Sequence, residues 1–83
     1  MDIDTDRFNH LLRKATEAAR YGEEGWSGQS TGERVAVAFI LNRFDWLQKM
    51  GYSIPEALFS MDHDWRNMLL YVHKILKKNG DIK

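Results

Sequence analysis

The chain has no cysteine, which removes disulfide staples, thiolate metal sites and cysteine nucleophiles together. That absence fits a reducing compartment. Proline occurs once, at Pro55, and neither a low-complexity segment nor an internal repeat interrupts the sequence. Long apolar runs are missing too: the longest, Val35 to Leu41, has seven residues, against about 20 needed to cross a bilayer. The N-terminus, MDIDTDRF, is acidic where a secretory signal is basic. There is no excess of either charge, since twelve basic and twelve acidic side chains cancel. A strongly basic domain, the usual mark of a phosphate-tracking protein, is therefore lacking. The chain reads as complete and cytoplasmic.

What is present is helical periodicity over a single domain spanning 1–83. At 83 residues, one apolar core contributes only about 3–5 kcal/mol. A first helix begins after Asp4 or Thr5, either of which serves as its cap, and carries Phe8, Leu11, Leu12, Ala15, Ala18 and Ala19 at helical spacing. Gly22 ends it. The alanines allow a neighbouring helix to approach closely.

The stretch YGEEGWSGQSTGE, residues 21–33, follows as the one substantial loop. Its last four residues form a capping box: Ser30 accepts from the Glu33 amide while Glu33 reaches back to the Ser30 amide. The second helix then runs to Gly51. Val35, Phe39, Trp46 and Met50 lie on one side of it, and Val37, Ile40, Leu41, Phe44 and Leu47 on another. Ala38, Asn42, Asp45 and Lys49 form its water-facing strip. A helix apolar over most of its circumference is either the centre of the fold or half of a homodimer seam.

Ser53 to Glu56 is a second capping box, with Pro55 in the tolerant first turn. It opens a short helix to about Ser60 that offers Ile54, Ala57, Leu58, Phe59 and Met61 to the core. A last helix starts at Asp62 or Asp64, buries Trp65, Met68, Leu69, Val72, Ile75 and Leu76, and gathers lysines at its C-terminal end, where the helix dipole favours them. The fold class is all-α: a bundle-like domain of three main helices and one short one, with the second central.

Catalytic templates fail in turn. GWSGQ begins like the G-x-S-x-G elbow but has Gln29 at the final glycine and no strand before it. No Gly-Lys pair exists for a P-loop. Asp62, His63 and Asp64 suggest a metal, yet His73 lies about 15 Å further along the same helix. Helix-end capping explains both aspartates, so no metal or cofactor is expected, and a small metal-dependent hydrolase is the weakest reading. The second helix, Gly51 and the third imitate a helix-turn-helix, but the recognition element would be IPEALFSM, which has no basic residue.

Binding to protein remains, through Glu23, Glu24, Trp26, Gln29, Arg43, Leu70 and Tyr71. Trp26 sits in the glycine-rich loop either as a lid on the core or as an anchor for a partner. Arg43 projects between the apolar faces of the second helix, its stem covering them and its head within reach of Asp62 or Glu56. Leu70 falls opposite the buried stripe of the last helix, with Tyr71 on its flank. The expectation is a non-enzymatic interaction module that docks on another protein. Small accessory, regulatory or inhibitor-type factors, including those of phages and mobile elements, suit that description. The alternative is nucleic-acid association through Lys74, Lys77 and Lys78.

Overall fold

In the computed structural model, which describes residues 5–61 and 63–82, six helices follow one another: α1 Thr5–Tyr21, α2 Glu23–Ser27, α3 Thr31–Ile40, α4 Phe44–Lys49, α5 Ile54–Ser60 and α6 His63–Lys78. No strand occurs among the described residues, and the domain is all-α. Caps expected from Asp4 or Asp62 lie outside the described residues.

Helix α1 buries Leu11, Ala15 and Ala18, one stripe at i, i+4 and i+7. It ends where the Gly22 amide donates to the Ala18 carbonyl at 2.8 Å. Gly22 adopts φ 67°, a left-handed conformation that L-residues with a β-carbon rarely hold. The stretch expected to be a plain loop then makes one turn of helix, α2, that lies flat against α1. Gly25 allows this, because a β-carbon there would stand 2.8 Å from the Glu17 carbonyl oxygen.

Helix α3 opens on the expected capping box, with both hydrogen bonds between Ser30 and Glu33 formed. It packs against α1, α2, α4 and α6 and is the centre of the fold. Val35, Ala36, Val37, Ala38 and Ile40 are all buried. The second helix is not continuous to Gly51, however. The Asn42 amide donates to the Phe39 carbonyl at 3.1 Å and the Arg43 amide to the Ala38 carbonyl at 2.8 Å. That pair of bonds is a Schellman ending, with Asn42 in the left-handed position at φ 57°. Helix α4 starts afresh at Phe44, with Arg43 before it. Ala38, expected to face water, is buried because elements on several sides of α3 leave no strip of it uncovered.

The second capping box, Ser53 with Glu56, is also complete. Helix α6 buries Met68, Val72 and Leu76 against α1 and α3. Two contacts fix its lower half: His73 Nδ1 donates to the Ile40 carbonyl at 2.7 Å, occupying an oxygen at the end of α3. Beyond α6, Asp81 accepts from Arg20 Nε of α1 at 3.1 Å. Around α3 and α4, Val35, Val37, Ile40, Trp46 and Leu47 are buried within the chain, while Phe44 is exposed.

Candidate functional site

The glycine-rich stretch places its tryptophan inside. Trp26 is 3% exposed, stacks on Trp46 with centroids 4.7 Å apart, and donates its indole N–H to the Arg34 carbonyl at 2.8 Å. The Arg34 guanidinium lies over the same ring at 5.6 Å. Trp26 is a lid on the core, and the reading of it as an exposed anchor does not fit this geometry. Gln29 is buried beside it, donating from Nε2 to the Lys14 carbonyl at 2.9 Å, which ties the loop to α1.

Glu23 and Glu24 are exposed on α2. Glu23 is engaged by Lys49 across the mouth of an open cleft beside Trp26. Arg43 is paired with neither expected acid among the described residues: Glu56 closes the capping box of α5, and Asp62 lies outside those residues. Its guanidinium grips Asp45 through two hydrogen bonds of 3.0 and 2.9 Å and lies over the Trp46 ring at 4.4 Å. The break before α4 makes Arg43 the residue that precedes the new helix, two positions from Asp45 in its first turn. These bonds hold the Asp45 carboxyl below its ordinary value.

A second cluster joins α1, α3 and α6. Arg13 Nη2 contacts His10 Nδ1 at 3.3 Å, which leaves the Nε2 proton for the Glu33 carboxylate. The other Glu33 oxygen accepts from the Ser30 amide at 2.9 Å. Burial pushes the Glu33 carboxyl up, but bonds from the Ser30 amide, His10 and the Ser30 hydroxyl, together with nearby Lys14, outweigh it, and the net position is below the ordinary value. His10 stacks on Trp65 with centroids 6.2 Å apart. Both ring nitrogens are engaged, so the cluster joins helices and also fills the anion-attracting start of α3. Among the described residues no group of three or more His, Asp or Glu gathers as a metal set would.

The third place is the outer side of α5 and α6. Of the five residues that the short helix was expected to offer to the core, Ala57 and Met61 are buried as expected, while Ile54, Leu58 and Phe59 are exposed, Phe59 at 90%. The two turns of α5 pack mainly on the short α4, which leaves much of their surface uncovered among the described residues. Arg66 of α6 donates to the Leu58 carbonyl at 2.8 Å, closing the end of α5 and setting it beside α6. One turn beyond Arg66 stand Leu70 and Tyr71, 58% and 54% exposed. Ile54, Leu58 and Phe59 are exposed although the sequence assigned them to the core.

Of the residues expected to meet a partner, Leu70 and Tyr71 are therefore adjacent and exposed, Glu23 and Glu24 lie on another helix, Arg43 is held by Asp45, and Trp26 and Gln29 are internal. They do not form one surface. Compared with known proteins, the chain matches no family model, no curated protein and no solved structure.

Proposed function

We propose that this protein is a non-enzymatic docking module whose contact surface is the outer side of α5 and α6. One observation carries the reading: Ile54, Leu58, Phe59, Leu70 and Tyr71 are left to solvent on neighbouring helices, in a chain that keeps Trp26 and Trp46 inside. Single exposed apolar residues are ordinary on any surface. Several on adjoining elements are the usual mark of a protein contact. The anchor role moves from the glycine-rich loop to Phe59 and Leu70.

Affinity capture from cells that produce the protein tests this, using the wild type and a Phe59→Ser/Leu70→Asp double variant side by side. A protein retained by the wild type and lost from the variant, with both baits equally folded, supports docking through this face. Identical retained sets overturn it. The nucleic-acid alternative would appear in the same experiment as nuclease-sensitive capture that fades steeply with salt.

A further inference from the structure

Helix α6 is strongly one-signed along the side that meets water. From Trp65 to Lys78 it contains no acidic residue, and Arg66, Lys74, Lys77 and Lys78 are all exposed. Among the described residues, Asp64 pairs with Arg7 at 3.5 Å, Asp81 with Arg20 at 3.1 Å, and Glu56 closes the capping box of α5. Among the described residues none of the three lysines has a carboxylate partner. The helix dipole accounts for Lys77 and Lys78 in the last turn. It does not account for Lys74, nor for a leucine and a tyrosine exposed in their midst.

Helical spacing puts Arg66, Leu70, Lys74 and Lys77 in one line, with Tyr71 and Lys78 in the line beside it. Leu70 to Lys78 covers about 12 Å along the axis, roughly two turns of a facing helix. The Arg66 bond to α5 extends the apolar part toward Leu58. The surface therefore has an apolar part, Leu70 and Tyr71, between Arg66 on one side and the lysines on the other, in a protein with no net charge.

We infer that this surface receives an acidic amphipathic helix of another protein, whose apolar side chains sit on Leu70, Tyr71 and Leu58 while its carboxylates meet Lys74, Lys77 and Lys78. The inference rests on the docking function proposed above and names the chemistry of the partner. A nucleic-acid duplex would use the lysines but has no use for Leu70. An anionic membrane would need a broad apolar face, whereas the apolar stripe of α6 is turned inward through Met68, Val72 and Leu76. Complementary charge around an apolar centre steers encounter and excludes like-charged partners, while the apolar centre holds the complex.

The test uses the intact protein and a synthetic 18-residue helical peptide with leucines at i, i+3, i+4 and i+7 and glutamates on the flanks, beside an analogue with every glutamate replaced by glutamine. The acidic peptide binds at least about tenfold more tightly than the glutamine analogue and shifts the amide resonances of Leu70, Tyr71 and Lys74. A Lys74→Glu/Lys77→Glu variant loses about tenfold or more, as does Leu70→Asp, with melting temperatures unchanged. Equal affinity for the two peptides, shifts confined to other helices, or no binding at millimolar peptide overturns the inference. So does tighter binding to a DNA duplex or to phosphatidylserine vesicles that survives Leu70→Asp. In the capture experiment, loss of partner with Phe59→Ser/Leu70→Asp but full retention with Lys74→Glu/Lys77→Glu preserves docking and removes the acidic partner. Indifference to both variants removes both.

Discussion

Trp26 of α2 lies on Trp46 of α4 with their rings 4.7 Å apart and 24° from parallel, so a glycine-rich stretch is held to the core by its aromatic. Gly25 lets the turn lie flat, and the ring then reaches the Arg34 carbonyl. The hinge between α1 and α3 is therefore a structural clamp.

Replacing Trp26 with alanine is expected to cost about 3–5 kcal/mol, as for other buried large-to-small changes. For a domain of this size that lowers the melting temperature by more than about 10 °C. Trp26→Phe keeps a stacked ring but leaves the Arg34 carbonyl without its indole donor, a loss of about 1–3 kcal/mol. Thermal melts followed by circular dichroism rank the variants in that order. A change under about 3 °C for Trp26→Ala would place the ring outside the core.

Glu33 links pH to stability. Its carboxyl lies lower in the fold than in the unfolded chain because the Ser30 amide, His10 and the Ser30 hydroxyl outweigh the effect of burial. Its charged form therefore stabilises the fold above the unfolded value, and that contribution is lost as pH falls through the folded one. The wild type is expected to lose stability as pH drops below 4.5, the usual glutamate value. Glu33→Gln is less stable at pH 7 and has a shallower acid limb. Urea midpoints at several pH values for both proteins check it, and parallel acid limbs would refute the linkage.

The legible parts of this fold are those whose signals are local. Gly22 ends α1, and the boxes Ser30–Glu33 and Ser53–Glu56 open α3 and α5 as read from four-residue patterns. Asn42 shows the limit. It makes the same pair of backbone bonds as Gly51, which donates to Gln48 at 2.9 Å while Tyr52 donates to Leu47 at 3.0 Å. Yet an asparagine within an unbroken 3.6-residue apolar period gives no comparable warning. Ile54, Leu58 and Phe59 were misplaced for a different reason: periodicity says which residues share a face, and only tertiary packing says whether anything covers that face. The contact of His10 with Glu33 joins residues 23 apart in sequence, which no local pattern encodes.

The break at Asn42 yields its own prediction. At φ 57° a β-carbon costs about 1–2 kcal/mol, which asparagine partly escapes and glycine escapes entirely. Asn42→Gly is expected to match or slightly exceed the wild type in stability. Asn42→Val, whose β-branched side chain resists the left-handed conformation, is expected to lower it by about 1–2 kcal/mol or more. Chemical denaturation of the three proteins decides. If valine proved stabilising, α3 and α4 would be one continuous helix in solution, and the break at Asn42 would be wrong.

The proposed surface makes a prediction about what should not change. Phe59 and Leu70 are exposed at 90% and 58%, so Phe59→Ser and Leu70→Asp remove little buried area. Each is expected to shift unfolding free energy by no more than about 0.5 kcal/mol, the usual range for surface positions. Leu11→Ala, at a fully buried position of α1, is expected to cost about 2–5 kcal/mol by the cavity it leaves. Urea denaturation of the three variants separates the outcomes by several-fold. A large loss for Leu70→Asp would mean that α6 turns this side toward the protein, and its sensitivity in binding would then reflect unfolding. A small loss makes Leu70 a residue retained at the surface without any folding role, which is the condition a docking contact has to meet.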